Sequence, residues 1–394
     1  MKTKSHFFIL AMVFLAIALG NAGSTLYLPA MPVIAAYLGT DGAMMKLSLS
    51  LFLVGFAIAQ VIYGPLSDAL GRRINLLVGL VVFFIGSLMS ANAHGVTLFL
   101  IGRLIEGLGI GAGNAVGYAL MRDIYSGPRL TLLLGYMSVF VGAIPLLAPI
   151  IGGYLVSFIN WQACFYFLAI AAASLFILKW YYLPETLALI NARACHPAVI
   201  SKNFATLVKS RVYIGYAFAT ACAFSAVFTT GSMLPFLLVN QLHIPVSIYG
   251  WVAGIPALGY MAGSLISGRL AQTVGIGKII VAGVVLQLIA LSVGVVINLN
   301  YFNAYSLITP LLICMIGVGF VMPSGSSGAM APFPQLAGSE AALLCASMFC
   351  FASLFTAMGS HLSEADPIPL FFLLIAISLL TLLFLGVAKK GEKA

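Results

Sequence analysis

Long apolar runs of about 20 residues recur along the whole chain, each closed by a short polar break, and this rhythm leaves few folds open. A hydrocarbon layer about 30 Å thick demands helices of that length, because in lipid every backbone N–H and C=O must be paired inside its own segment. Twelve runs are read, at 7–28, 46–66, 74–93, 97–119, 130–156, 162–182, 212–239, 247–270, 276–298, 304–328, 338–361 and 367–388. A chain of 394 residues that is 62% apolar and 7% charged, with mean hydropathy +1.13, lies outside the range of soluble domains. The sequence therefore predicts an all-α integral membrane protein with twelve transmembrane helices and no soluble domain between them.

Charge placement orients the spans, since Lys and Arg near span ends stay on the cytoplasmic side. With both termini inside, every Lys and Arg falls on the cytoplasmic side except Lys46, which is outside, and Arg103, which is inside a span. The net charge of +9 is thus a topology signal, and nucleic acid is excluded as a partner because no basic cluster exceeds two residues. Met1-Lys2-Thr3-Lys4 and the apolar run after it resemble a signal peptide, but the run continues to Leu28 and is read as span one.

The longest polar stretch, 183–211, divides six spans from six. The expected organisation is an N-terminal six-helix half over 1–186, a cytoplasmic linker over 187–211 and a C-terminal half over 212–394. A weak repeat supports two pseudo-symmetric halves. Gly268-Arg269-Leu270-Ala271-Gln272-Thr273-Val274-Gly275 follows span eight as Gly64 to Arg73 follows span two, and Leu28-Pro29 recurs as Leu234-Pro235. Halves of this kind place a substrate site near the midplane between them.

Between spans two and three lies Gly64-Pro65-Leu66-Ser67-Asp68-Ala69-Leu70-Gly71-Arg72-Arg73, a short charged turn in which Asp68 can cap a neighbouring helix N-terminus. It resembles the signature loop of the major facilitator superfamily. In order there follow Arg103-Leu104-Ile105-Glu106-Gly107-Leu108-Gly109, the span-five residues Gly142, Pro145, Pro149, Gly152 and Gly153, then Leu183-Pro184-Glu185-Thr186. The ordered set is similar to the twelve-span drug/proton antiporters, most of all to the Bcr/CflA multidrug-resistance branch of bacterial inner membranes. The resemblance implies the major facilitator fold and proton-coupled efflux of drug-like or small organic molecules by alternating access, with a small-molecule substrate, protons and the bilayer as partners and a monomer as the working unit. A proton-coupled metabolite exporter or importer on the same scaffold stays open, and a non-transporting membrane sensor more remotely.

The resemblance also implies a gating latch of Gly64, Asp68, Gly71, Arg72 and Asp123, in which Arg72 bridges Asp68 to Asp123 and Asp68 caps the cytoplasmic start of span eleven. It associates the span-five motif with exporters. Physically, Pro145 and Pro149 remove backbone donors, while Gly142, Gly152 and Gly153 remove side chains, so that helix is expected to be kinked and closely packed.

Charges inside a membrane are costly and mark ion pathways or substrate sites. Counted from position 97, Arg103 lies about 9 Å and Glu106 about 14 Å deep, and no other acid sits so near the midplane. Relatives place an acid where Thr25 stands here, and Gln where Glu106 stands. Glu106 either carries the coupling proton or only neutralises Arg103, three residues away on one helix.

In helical projection Arg103, Ile110, Asn114 and Gly117 fall within about 40° of one another, which marks a candidate cavity face. Asn21, Thr25, Gln60, Phe224 and Phe228 are the further cavity candidates; the aromatic ones are equally well read as packing. No catalytic constellation, cofactor motif or metal-ligand spacing is found, so no enzyme, cofactor or metal is expected. The six cysteines lack redox spacing, and the alternating glycines of span four are not a nucleotide loop.

Overall fold

The computed structural model describes residues 3–125, 127–187 and 197–392. Twelve long helices and two short ones run in the order α1 (Thr3–Thr25), α2 (Met31–Tyr37), α3 (Gly42–Leu70), α4 (Arg72–Ala91), α5 (Val96–Ile124), α6 (Gly127–Phe158), α7 (Gln162–Tyr182), α8 (Pro197–Lys209), α9 (Arg211–Pro235), α10 (Val246–Val274), α11 (Ile276–Asn300), α12 (Ala304–Met330), α13 (Ala337–Ser360) and α14 (Ile368–Glu392). The long helices coincide with the twelve apolar runs to within a few residues at most ends. Eleven are apolar and long enough to cross a membrane. The remaining one, α10, is 29 residues long, but Gly250, Gly254, Gly259, Gly263 and Gly268 dilute its apolar run. Four of these trade hydropathy for close approach: a Cβ on Gly250 or Gly254 would strike α6, and one on Gly259 or Gly263 would strike backbone of α12.

Three local readings change. Span one is not continuous to Leu28: α1 ends at Thr25, a 3₁₀ turn covers Leu28–Ala30, and α2 restarts at Met31. Pro29 and Pro32 lack the N–H a continuous helix needs. Ser24 and Thr25 donate to the carbonyl of Asn21, and Asn21 to that of Ile17, so these polar side chains back-bond just before the break. At Pro235, α9 likewise gives way to a π-helical turn, Phe236–Gln241. The polar stretch after span six contains α8, whereas Arg193, Cys195 and His196 lie outside the described residues.

Pseudo-symmetry is visible in the packing. Helix α5 lies against α3 and α4 as α12 lies against α10 and α11, and α4 meets α7 as α11 meets α14. The turns match too: Gly71 (φ 97°) joins α3 to α4 and Gly275 (φ 89°) joins α10 to α11, both in a region that favours glycine.

Between the halves, α3 packs on α13 and α6 on α10. At the end of the bundle opposite Gly71, Lys46 pairs with Glu364 at 3.1 Å, and Ser50 and Ser353 exchange hydrogen bonds of 2.8 and 3.0 Å. Farther along, the Phe56 and Phe349 rings stack at 4.1 Å, and at the Lys46 end Trp251 Nε1 donates to Tyr154 at 3.3 Å. Among the described residues, no hydrogen bond or ion pair ties the six helices before the linker to those after it at the Gly71 end. The structure is closed at the Lys46 end.

Lys46 is fully buried and also reaches the Leu362 carbonyl at 3.4 Å. Glu364→Gln should leave its ammonium covered and without a carboxylate in contact, Asp41 acting only at a distance, which favours the arrangement open at this end. If closure loses about 1.4 kcal/mol, labelling of a cysteine placed at Ser50 by an impermeant maleimide rises about tenfold. Unchanged labelling would show that the pair does not hold this end.

Candidate functional site

At the Gly71 end, the signature segment is helical rather than a loop. Helix α3 runs through Pro65 to Leu70 and α4 begins at Arg72, leaving Gly71 as the only turn residue. A Cβ on Gly71 would meet the Glu185 carboxylate, while one on Gly64 would meet nothing within 4 Å. Gly64 therefore has no close-packing role in this arrangement. Arg72 donates from Nη1 to Asp68 at 2.5 Å and to Ser67 at 2.6 Å, and from Nε to Asp123 at 2.9 Å, joining α3, α4 and α5 within one half.

Among the described residues Asp68 caps no helix. The N-cap of α13 is Leu336, with no side-chain cap, since α3 and α13 are held together at the other end. The cap of α4 is supplied by Glu185, just after α7, which accepts from the backbone N–H groups of Arg72 at 2.9 Å and Arg73 at 3.1 Å. Partial burial works to raise the Glu185 carboxyl. Hydrogen bonds from the Leu187, Arg72, Arg73 and Thr186 amides outweigh burial and hold it below the ordinary carboxylate range. Its contribution is thus full above that range and is lost as pH falls through the lowered value.

With its side chain 44% exposed, Asp68 adds little stability, about 0–1 kcal/mol. Asp68→Asn should therefore reach the membrane in normal amounts yet transport more slowly, because the change loosens the Arg72 junction rather than the fold. Ethidium efflux normalised to membrane-resident protein checks this, and normal turnover would rule out a gating role for Asp68.

Deeper in the bundle, Arg103 and Glu106 on α5 are each 0% exposed. Arg103 Nη1 donates to Glu106 Oε2 across one helical turn, and Nη2 donates to the Gly23 carbonyl at 3.0 Å. The guanidinium also lies over the rings of Tyr27 at 4.1 Å and Phe52 at 4.5 Å, the positions where a buried cation gains from aromatic faces. Glu106 points toward α4, where a Cβ on Gly86 would meet its backbone and side chain. Its Oε1 has no partner within 3.5 Å among the described residues, and the buried Ser87 hydroxyl of α4, likewise unpartnered, is the donor within its electrostatic reach. The pair is thus sealed inside one half, tied by Gly23 to α1 just before the break, with one carboxylate oxygen unsatisfied.

The helical projection of a cavity face is corrected by packing. Ile110 is buried against Gly20, and a Cβ on Gly117 would meet Ile17 and Val13, so this face of α5 lies on α1. Gln60 is 3% exposed and donates to the Gly111 carbonyl at 3.5 Å, joining α3 to α5. Thr25 is buried at the α1 break. Asn21 and Asn114 are half-buried, and no partner is found for the Asn114 amide among the described residues. Phe224 and Phe228 do come together, at 5.0 Å, and both meet Phe349, which stacks on Phe56 of the other half. Phe56 and Phe349 were not among the sequence candidates, because a Phe stripe in an apolar helix gives no sign of which ring crosses between halves.

Helix α6 carries the span-five glycines in three different settings. A Cβ on Gly152 would strike the Leu26 backbone at the α1 break, one on Gly153 would strike the Val246 carbonyl at the start of α10, and one on Gly142 would meet nothing within 4 Å. Close packing is confined to Gly152 and Gly153, contrary to the expectation for Gly142.

Comparison with known proteins adds a family. The Major Facilitator Superfamily model matches residues 13–357. The uncharacterized MFS-type transporter YdgK of Bacillus subtilis (strain 168) is 30% identical over 83% of this chain and 82% of its own. Multidrug resistance protein D of Escherichia coli (strain K12) is 28% identical over 87% and 86%. The solved structure of the xylose transporter XylE from E. coli superposes with a TM-score of 0.72 at 14% identity, over 97% of each chain, a likeness of fold.

Proposed function

The chain belongs to the Major Facilitator Superfamily, and we propose that it is a monomeric secondary active exporter that exchanges protons for drug-like or small organic molecules across a bacterial cytoplasmic membrane. Both termini lie inside on this proposal, because the alternative would translocate nearly every Lys and Arg. The Gly71 end is then cytoplasmic, and the structure is closed toward the outside. Similarity to multidrug resistance protein D supports drug-like cargo; Phe56, Phe228 and Phe349 are buried against one another here and would present apolar faces to amphipathic molecules when the halves part.

The observation that carries proton coupling is the sealed Arg103–Glu106 pair with its unsatisfied Glu106 Oε1. A buried carboxyl is charged only while its cation stays with it. Arg103 is anchored to Gly23, beside the α1 break whose 3₁₀ turn touches α9 and α10 of the other half. Rocking of the halves pulls on that break and so on the cation, which lets Glu106 take up a proton when Arg103 withdraws and lose it when the pair re-forms.

Expression in a bacterial host lacking its main efflux pumps tests the function. Ethidium accumulation should fall, and a protonophore should restore it. Equal accumulation with and without the protein, across a panel of lipophilic cations and neutral drugs, would contradict drug efflux.

A further inference from the structure

A second acid is buried in the membrane-spanning bundle, in the half opposite Glu106. Glu340 stands in the first turn of α13, is fully buried, and has no hydrogen-bond partner on either carboxylate oxygen. Its surroundings are short of compensation. From α9, the Tyr213 hydroxyl spends its proton on the Glu340 backbone carbonyl at 3.1 Å, and Arg211, two residues earlier, is exposed. From α8, Asn203 donates to Ser339 at 3.2 Å, and Lys202 and Lys209 are exposed. From α12 the titratable side chains are Tyr305 and Cys314, both toward the far end of that helix. No cation of the described residues comes within 4.0 Å of Glu340.

On α3 the nearest charges are set by register. Ser50 pairs with Ser353 and Phe56 with Phe349, so the antiparallel helices carry Glu340 to about the level of Gly64, one turn from Asp68 and its partner Arg72. Gly64 leaves open space there.

Resting on the proton-coupled efflux proposed above, we infer that Glu340 is a second proton-carrying carboxyl, neutral while covered and ionised when the cytoplasmic end rearranges. Two opposed effects make it a switch. An ionised carboxylate without partners is disfavoured in an apolar cover, while the positive end of the α13 dipole favours the ionised form once water arrives. The proton on Glu340 therefore reports and biases which end is open.

Infrared pH titration of the detergent-purified full-length protein, without cargo, reads the carboxyl directly. The wild type should lose a protonated-carboxyl band as pH rises, changing about tenfold in its protonated-to-ionised ratio per pH unit. Glu340→Gln should lack that band and Glu340→Asp should keep it. In proteoliposomes, Glu340→Gln should flatten the pH profile of ethidium transport. Identical titrations in wild type and Glu340→Gln would overturn the inference, as would loss of the band with an unchanged transport profile. Failure of the wild type to move ethidium at any pH would count against drug efflux instead, and the spectrum would still decide whether Glu340 titrates.

Discussion

Gly152→Leu is expected to reduce efflux at least about tenfold while the protein still reaches the membrane. A Cβ at this position would meet the carbonyl of Leu26, with the Leu26 carbonyl carbon at 2.9 Å and Pro29 Cγ at 3.2 Å. Those atoms belong to backbone and a proline ring at the α1 break, so neither can turn aside as a flexible side chain would. Overpacking of this kind costs about 1–3 kcal/mol, and each 1.4 kcal/mol moves an equilibrium about tenfold. Even Gly152→Ala should be impaired.

Gly153→Leu acts on a different contact. Its side chain enters the junction with the Val246 carbonyl, 2.6 Å from the Cβ position, and should prise open the Lys46 end. Gly142→Ala, with open space around it, should transport normally and serves as the control. Ethidium efflux per membrane-resident protein separates the three, and normal transport by Gly152→Leu would contradict close packing of α6 on α1.

Much of this was legible in the sequence where lipid or local spacing imposes the answer. The twelve runs are visible because a bilayer leaves backbone groups no partner outside the helix. The Asp68, Arg72 and Asp123 side chains do meet, although Glu185 rather than Asp68 caps the neighbouring helix. That exchange depends on where the end of α7 comes to rest, which is a tertiary matter. The run was read to Leu28, just before Pro29, because Leu26, Tyr27 and Leu28 continue its apolar character, whereas α1 ends at Thr25, where Ser24 and Thr25 back-bond to Asn21.

Faces were harder to read than spans. Helix α5 is studded with glycines and small residues on several sides, so its projection does not tell contact with α1 from exposure to a cavity. Ile110 and Gly117 went to α1, and Gln60 to the α3–α5 seam. Lys46 carried a signal that could have been used. As the only cation expected outside, it invited a partner among the few outer acids, and Glu364 is that partner.

The second large effect is expected at Glu106. Glu106→Gln keeps the shape of the side chain and removes the charge that Arg103 Nη1 now holds, while Arg103 retains the Gly23 carbonyl and the Tyr27 and Phe52 rings. The variant should therefore fold and bind cargo. It should also lose the ability to expel ethidium against a gradient, because a neutral amide cannot take up and release a proton, whereas downhill exchange needs only the rocking of the halves.

Proton release on ethidium binding tests this most directly, measured in weakly buffered solution with detergent-purified wild type and Glu106→Gln. The wild type should release protons as ethidium binds, and Glu106→Gln should bind ethidium with reduced release. Equal release from both would contradict the coupling role and leave Glu106 as the static partner of Arg103.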